Sequence, residues 1–325
     1  MTEQLSIYLH KFKTLNRGFN KNLGRAPHKP ILLLSILELI SKGEIHSNRI
    51  FITPELLLSF KHNWDKLVYS QHIANFALPF FHLRSESFWS LHTKSDMELI
   101  VNTSKSIKSF KSLNDAIDFA EIDENLFLFL LNPPSRILFE AALLDEYFPD
   151  SKVNYASNQL NSEEVKIEHQ ILNENKIEYQ SNLKKLKATL NGDDYVEELF
   201  IRGGLFKRTI PKIYNYSCCI SGMKIASKQN AQMVDACHIV PFSISNDDTI
   251  TNGLSLSPNL HRALDRGLIT IHQDYTVRVS PTIRENDSVF SLSQFNGKKI
   301  ILPQKTTWHP SAESLDWHNR EVFAV

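Results

Sequence analysis

The segment from Met233 to Gly267 restricts the fold of this chain more than any other. Its first part, Met233-Val234-Asp235-Ala236-Cys237-His238-Ile239-Val240, is apolar and β-favouring and stops at Pro241, so it reads as a short strand carrying His238. Asn252-Gly253 follows fourteen residues after His238 and is the strongest short signal for a hairpin turn. His261 comes nine residues after Asn252, inside Ser257-Pro258-Asn259-Leu260-His261-Arg262-Ala263-Leu264-Asp265-Arg266-Gly267. Ser257 is a good N-cap, Pro258 a good first helical residue and Gly267 a good stop, so the stretch reads as a short helix. His261 and Asp265 then stand one turn apart on a single face. Singly, each residue has an ordinary explanation: a core histidine, a turn, a surface ion pair. Their order on strand, turn and capped helix is what carries information.

These residue types suit phosphodiester hydrolysis. Neutral imidazole has the right basicity to take a proton from water near pH 7, which makes His238 the expected general base. A divalent cation is needed for the charge on the phosphate and the departing oxygen, and His261 and Asp265 are the expected helix ligands. The strand ligand is open between Asp235 and Cys237. A thiolate suits zinc better than magnesium, whereas Asp235, two residues back on the same strand face, offers an oxygen.

The joint spacing resembles that of the HNH (ββα-metal) endonucleases, in the subgroup reading acid-x-x-His, Asn-Gly-Leu, His-x-x-x-Asp-x-Gly, and it covers residues 195–290. The resemblance implies that His238, Asn252 and His261 are catalytic, with Asn252 orienting the ring of His238 through its amide. It also implies one divalent ion, Mg2+ or Mn2+, per active site, with His261, Asp265 and Asp235 as the ligand set. Cys237 departs from the commonest pattern, in which Asp or His directly precedes the base. Arg262 and Arg266, with Lys207, Arg208 and Lys212 upstream, read as phosphate contacts or as solvated charges. Cys218-Cys219-Ile220-Ser221-Gly222 resembles the first strand and turn of the same family, with structural cysteines.

The first part of the chain predicts a mixed α and β module. Pro30 to Ile40 is an apolar run ending at Ser41-Lys42-Gly43, a buried helix with a glycine stop. Thr53-Pro54-Glu55 opens a second helix. Pro79 to Arg84 and Phe88 to Leu91 read as two strands of a hairpin across Ser85-Glu86-Ser87, and residues 124–148 as helix broken at Pro133-Pro134. Arg25-Ala26-Pro27-His28-Lys29-Pro30, with Leu78-Pro79-Phe80-Phe81-His82-Leu83, resembles the sulfur-binding domain of phosphorothioate-dependent restriction endonucleases. That resemblance implies a small apolar pocket for the non-bridging sulfur, made from Arg25, Pro27, His28, Lys29, Leu78, Pro79 and His82. Sulfur is larger, more polarisable and less hydrated than oxygen, so proline and aliphatic edges favour it by contact and easier desolvation, while Lys29 or Arg25 meets the remaining phosphate charge. Leu78 stands where that family has tyrosine.

The organisation expected is therefore α+β and multidomain: residues 1–150 reading modified DNA, 151–194 an acidic, partly helical linker, and 195–325 the HNH nuclease. The net charge of zero conceals a segregation. Residues 1–120 carry 15 Lys and Arg against 10 Asp and Glu, residues 121–200 carry 7 against 16, and residues 201–325 carry 14 against 10. Local fields, screened beyond about 10 Å, allow both basic ends to engage double-stranded DNA. Three cysteines make no disulfide framework, and neither a signal peptide nor an apolar run of membrane length is evident, so a cytoplasmic protein is expected. One single-metal centre cuts one strand, so a homodimer is an open expectation. Two other functions fit the residues: an HNH nuclease reading a methylated base or unmodified duplex, and a non-catalytic DNA-binding protein that keeps the HNH fold.

Overall fold

A computed structural model describes residues 3–155, 162–225, 232–286 and 288–324. Helix dominates and the sheets are small, an α+β architecture. The chain divides into two compact units: Met1–Glu164 with Leu190–Ile201, and Val165–Thr189 with Arg202–Val325. Among the described residues, no single helix is long and apolar enough to cross a membrane.

The first unit is organised by the helix His28–Lys42, in which every residue from Ile31 to Leu37 is buried. A helix apolar all round must be covered on all sides, and Pro54–Leu67, Ala77–His82, Glu124–Leu131 and Pro133–Tyr147 all pack against it. Gly43 ends it in the left-handed conformation (φ 75°), with its amide bonded to Ile40 O. Thr53 caps the second helix by accepting from Leu56 N at 3.2 Å. A three-stranded antiparallel sheet, in the order Arg49–Phe51, Ile117–Ile122, Trp89–Thr93, lies beside the helices.

The expected hairpin is not formed. Residues 77–82 are helical, and Trp89–Thr93 pairs instead with Ile117–Ile122. Phe76, Phe80 and Phe81 are buried at helical spacing, Asn75 Oδ1 accepts from Leu78 N at 2.9 Å, and Pro79 sits in the first turn, where its missing N–H costs nothing. Tertiary packing favours the helix: Phe60, Phe76, Phe80 and Trp89 form a continuous aromatic row with centroids 5.4–5.6 Å apart. Trp89 Nε1 also donates to Phe80 O at 3.1 Å.

The second unit begins with part of the stretch expected as linker. Ser162–Asn173 and Lys176–Thr189 are helices, and Ile167, Ile171, Tyr179 and Leu183 are buried rather than solvated. They meet the second-unit part of the helix Gly192–Ile213, where Arg202 donates to Gln170 at 2.8 Å and lies over the Tyr179 ring, and Arg208 donates to Glu168 at 2.9 Å. The expected partly helical linker is helical here and also packed, because the segment is polar on average while its few apolar residues recur four apart, enough to line one covered stripe. Residues 156–161 of the expected linker lie outside those described.

The rest of the unit surrounds a two-stranded antiparallel sheet, Asp235–His238 with Gly253–Leu256, followed by the helix Pro258–Asp265. Cys218–Gly222 makes a tight turn beside it, with Cys219 N bonded to Ser255 O at 2.7 Å. Gly267 has φ 65°, and a Cβ there would lie 2.0 Å from Val322 O. Glycine is thus required both for the left-handed stop and for the chain that folds back over it. His318, buried on the helix Ala312–Glu321, donates from Nε2 to Leu264 O at 3.1 Å and accepts at Nδ1 from Thr270 Oγ1 at 2.9 Å. Burial lowers its pKa, so it is held as the neutral imidazole this pairing requires.

Candidate functional site

His238 ends its strand and lines a cavity of about 430 Å³ together with Lys207, His261 and Asp265. Its ring is held from two directions. Phe206 of the long helix stacks on it, 4.0 Å between centroids and 7° from parallel, and Nε2 lies 2.8 Å from Asp248 Oδ1. The second strand approaches the long helix closely: a Cβ on Gly253 would lie 2.2 Å from Ile210 and 3.0 Å from Phe206. Asn252-Gly253 is therefore not the expected hairpin turn. Gly253 is extended (φ −124°) and is glycine because a helix side chain fills the space of its Cβ.

Asn252 is fully buried, and its role differs from the expected one. Its Oδ1 accepts from Val240 N at 2.9 Å, and its Nδ2 donates to Val240 O at 2.9 Å and to Asp247 O at 3.0 Å. All its bonds reach backbone and none reaches the His238 ring. Asn252 staples the loop between the strands, fixing the backbone two residues beyond His238.

On the helix, His261 Nε2 stands 3.5 Å from Asp265 Oδ2, the one-turn pairing expected. Its Nδ1 faces Asp235 Oδ2 at 3.3 Å. Cys237 Sγ lies 4.0 Å from Asp265 Oδ1, and donor atoms of Cys237, His261 and Asp265 all fall within 4.8 Å of one another. These donors fit a divalent cation. Cys237 is enclosed, and burial pushes its thiol pKa well up, whereas both carboxylates are exposed. Asp235, on the other ring nitrogen, holds the imidazole from behind, as carboxylates do for metal-binding histidines. Arg262 is exposed on the same helix, and Arg266 is exposed just past its end.

In the first unit, His28, Lys29, Leu78, Pro79 and His82 line one cavity of about 390 Å³ with Asn16, Arg17, Gly18, Ala26 and Ser85. Pro27 is buried and Arg25 exposed, and neither is on the lining. Lys29 is not a free cation: its ammonium is buried and donates to Glu86 at 2.6 Å and to Ser85 at 2.8 Å. His28 is neutral near pH 7, its pKa pushed down to about 4 by burial, with Nε2 bonded to Ile73 O at 2.9 Å and the ring against Trp64. Burial, with Lys29 and Arg84 nearby, lowers His82 as well. Arg17, stacked over the Tyr147 ring at 4.4 Å, is the cation of this wall that sequence reasoning missed. Only the folded chain brings residues 16–18 against 78–85.

A His-bearing strand, a stapled loop and a helix with a His and Asp pair define a ββα-metal centre. Residues 218–272 match the HNH endonuclease family, so the chain carries an HNH endonuclease domain, that of a metal-dependent nuclease. Among solved structures, the chain is similar to the modification-dependent TagI restriction endonuclease at 17% identity, TM-score 0.27, over 36% of this chain and 37% of that one. It is also similar to the type IV phosphorothioation-dependent restriction endonuclease ScoMcrA at 11% identity, TM-score 0.34, over 79% of this chain and 94% of that one. The chain thus spans little more than a third of the TagI enzyme. No curated protein matches it.

Proposed function

We propose that the protein is a modification-dependent restriction endonuclease that binds phosphorothioated duplex DNA through its first unit and hydrolyses a nearby phosphodiester bond through its second. The observation that carries the reading is that His238, His261 and Asp265 share one cavity inside the segment matching the HNH family. His238 takes the proton of the attacking water as the P–O bond to the departing 3′ oxygen breaks. Asn252 holds the loop that carries it. His261 and Asp265 hold one Mg2+ or Mn2+ ion, cations their nitrogen and oxygen donors suit, with Asp235 steadying His261. When bound, the ion stabilises negative charge on the cleaved phosphate. Arg262 and Arg266 contact neighbouring phosphates.

The cavity beside Leu78 and Pro79 receives the sulfur. Its apolar walls, neutral imidazoles and internally paired Lys29 offer little to a strongly hydrated oxygen and more to a polarisable, weakly hydrated sulfur, while Arg17 answers the phosphate charge. The described cysteines are free and buried, in keeping with a cytoplasmic protein. A homodimer would place two single-strand centres on one duplex, which light scattering with and without DNA tests.

The experiment is digestion of a phosphorothioated plasmid, and of the same plasmid with ordinary phosphates, in Mg2+ or Mn2+. Cutting confined to the first supports the proposal. Equal cutting of both points to a nuclease reading a methylated base or plain duplex, and binding of the plasmid without cutting points to a non-catalytic DNA-binding protein.

A further inference from the structure

The loop between the two site strands carries a buried carboxylate that neither the motif nor the metal site uses. Asp248 is 1% exposed. Its Oδ1 lies 2.8 Å from His238 Nε2, and its Oδ2 lies 3.3 Å from the hydroxyl of Tyr179, a fully buried side chain on the helix Lys176–Thr189. A carboxylate only accepts, so the phenol donates to one oxygen and the imidazole to the other. A histidine that donates from Nε2 keeps its lone pair on Nδ1.

We propose that Asp248, itself held by Tyr179, is the positioning residue that fixes His238 as the Nε2–H tautomer and so makes Nδ1 the atom that accepts the proton from water. This rests on the nuclease reading above. The geometry supports it in three ways. Phe206 lies flat on the ring and fixes its plane, but stacking alone leaves the ring free to turn within that plane. Asp248 removes this freedom by bonding one edge. Asn252, whose amide is committed to Val240 and Asp247, is not available for the task. The segment expected to be a partly helical linker thereby contributes Tyr179 to the support of the base.

The test uses the isosteric Asp248→Asn variant in the full-length protein, with ring 15N NMR of His238, steady-state cleavage and DNA binding. In the native protein Nε2 is expected to carry the proton and Nδ1 to be pyridine-like. In Asp248→Asn, the Tyr179 hydroxyl retains the amide oxygen as acceptor and turns the NH2 toward His238. Nε2 must then accept, the proton moves to Nδ1, and kcat falls on the order of 10²-fold or more with DNA affinity within about twofold. Tyr179→Phe, which frees the amide to turn, should lessen the loss when added to Asp248→Asn. A merely structural carboxylate would change the melting temperature without reversing the tautomer. A native ring protonated on Nδ1 overturns the proposal, as does an Asp248→Asn protein that keeps both the Nε2–H tautomer and its kcat. The NMR measurement needs no variant to fold and no cleavage to occur. A native protein that cuts nothing therefore defeats the nuclease reading, whereas the wrong tautomer defeats this inference alone.

Discussion

The two cavities solve opposite problems. In the second unit, polar groups are held still by their neighbours: the His238 ring lies between Phe206 and Asp248, and the Asn252 amide bonds only to the loop backbone. In the first unit, polar groups are made quiet: Lys29 is neutralised by Glu86, and His28 is kept uncharged by burial. A site that moves a proton needs an open lone pair in a fixed direction. A site that selects a weakly hydrated atom needs walls that form no strong competing hydrogen bond with oxygen. The difference teaches that the same residue type, histidine, is read by what surrounds it.

The largest effect that would sharpen this contrast is at His238, the proposed base. His238→Ala should lower cleavage about 10³-fold while an electrophoretic shift with phosphorothioated DNA is unchanged. Cutting at the native rate would remove the proton-moving role from the second cavity. Chelation by EDTA should stop cleavage with DNA still bound, and activity persisting in metal-free buffer would break the assignment of His261 and Asp265.

Asn252→Ala should act through stability, leaving Val240 N, Val240 O and Asp247 O buried without their partner, at about 3 kcal/mol or more by thermal or urea unfolding. An unaltered midpoint would mean that the staple is dispensable.

The neutral His28 gives the pH dependence. Its folded pKa of about 4 lies below the ordinary value of 6.5, so between the two the unfolded chain binds more protons. The stability from burying it neutral is complete above about pH 6.5 and is lost as the pH falls toward about 4, amounting to roughly 3 kcal/mol. His28→Gln should flatten that part of the stability curve, and an identical curve would contradict the quiet character of the first cavity. The smallest effect is at the wall. Leu78→Ala should reduce the preference for sulfur over oxygen by about 1 kcal/mol, a few-fold in relative Kd, by removing apolar contact.

Much of the second site was legible in the residues. Ser257-Pro258 and Gly267 announced the helix, and four-residue spacing put His261 beside Asp265, because a helix encodes neighbours locally. The role of Asn252 was misread, since its partners Val240 and Asp247 lie twelve and five residues back in the chain and no local pattern marks which atoms its amide meets. Asp248, within Asn246-Asp247-Asp248, was not singled out, and Tyr179 lay within the expected linker. In the first unit, the helix at residues 77–82 was mistaken for a strand because a short aromatic run fits either period, and the packing of Phe76 and Phe80 on Phe60 and Trp89 decided it.

By itself the sequence determined the parts with local causes: the two capped helices of the first unit, the helix bearing His261 and Asp265, and the class of chemistry that His238, Asn252 and His261 permit. Tertiary structure alone decided which groups are charged, which ring nitrogen of His238 is engaged, and that Lys29 is spent on Glu86. Those are properties of distance and burial between residues far apart in the chain, and no local pattern records them.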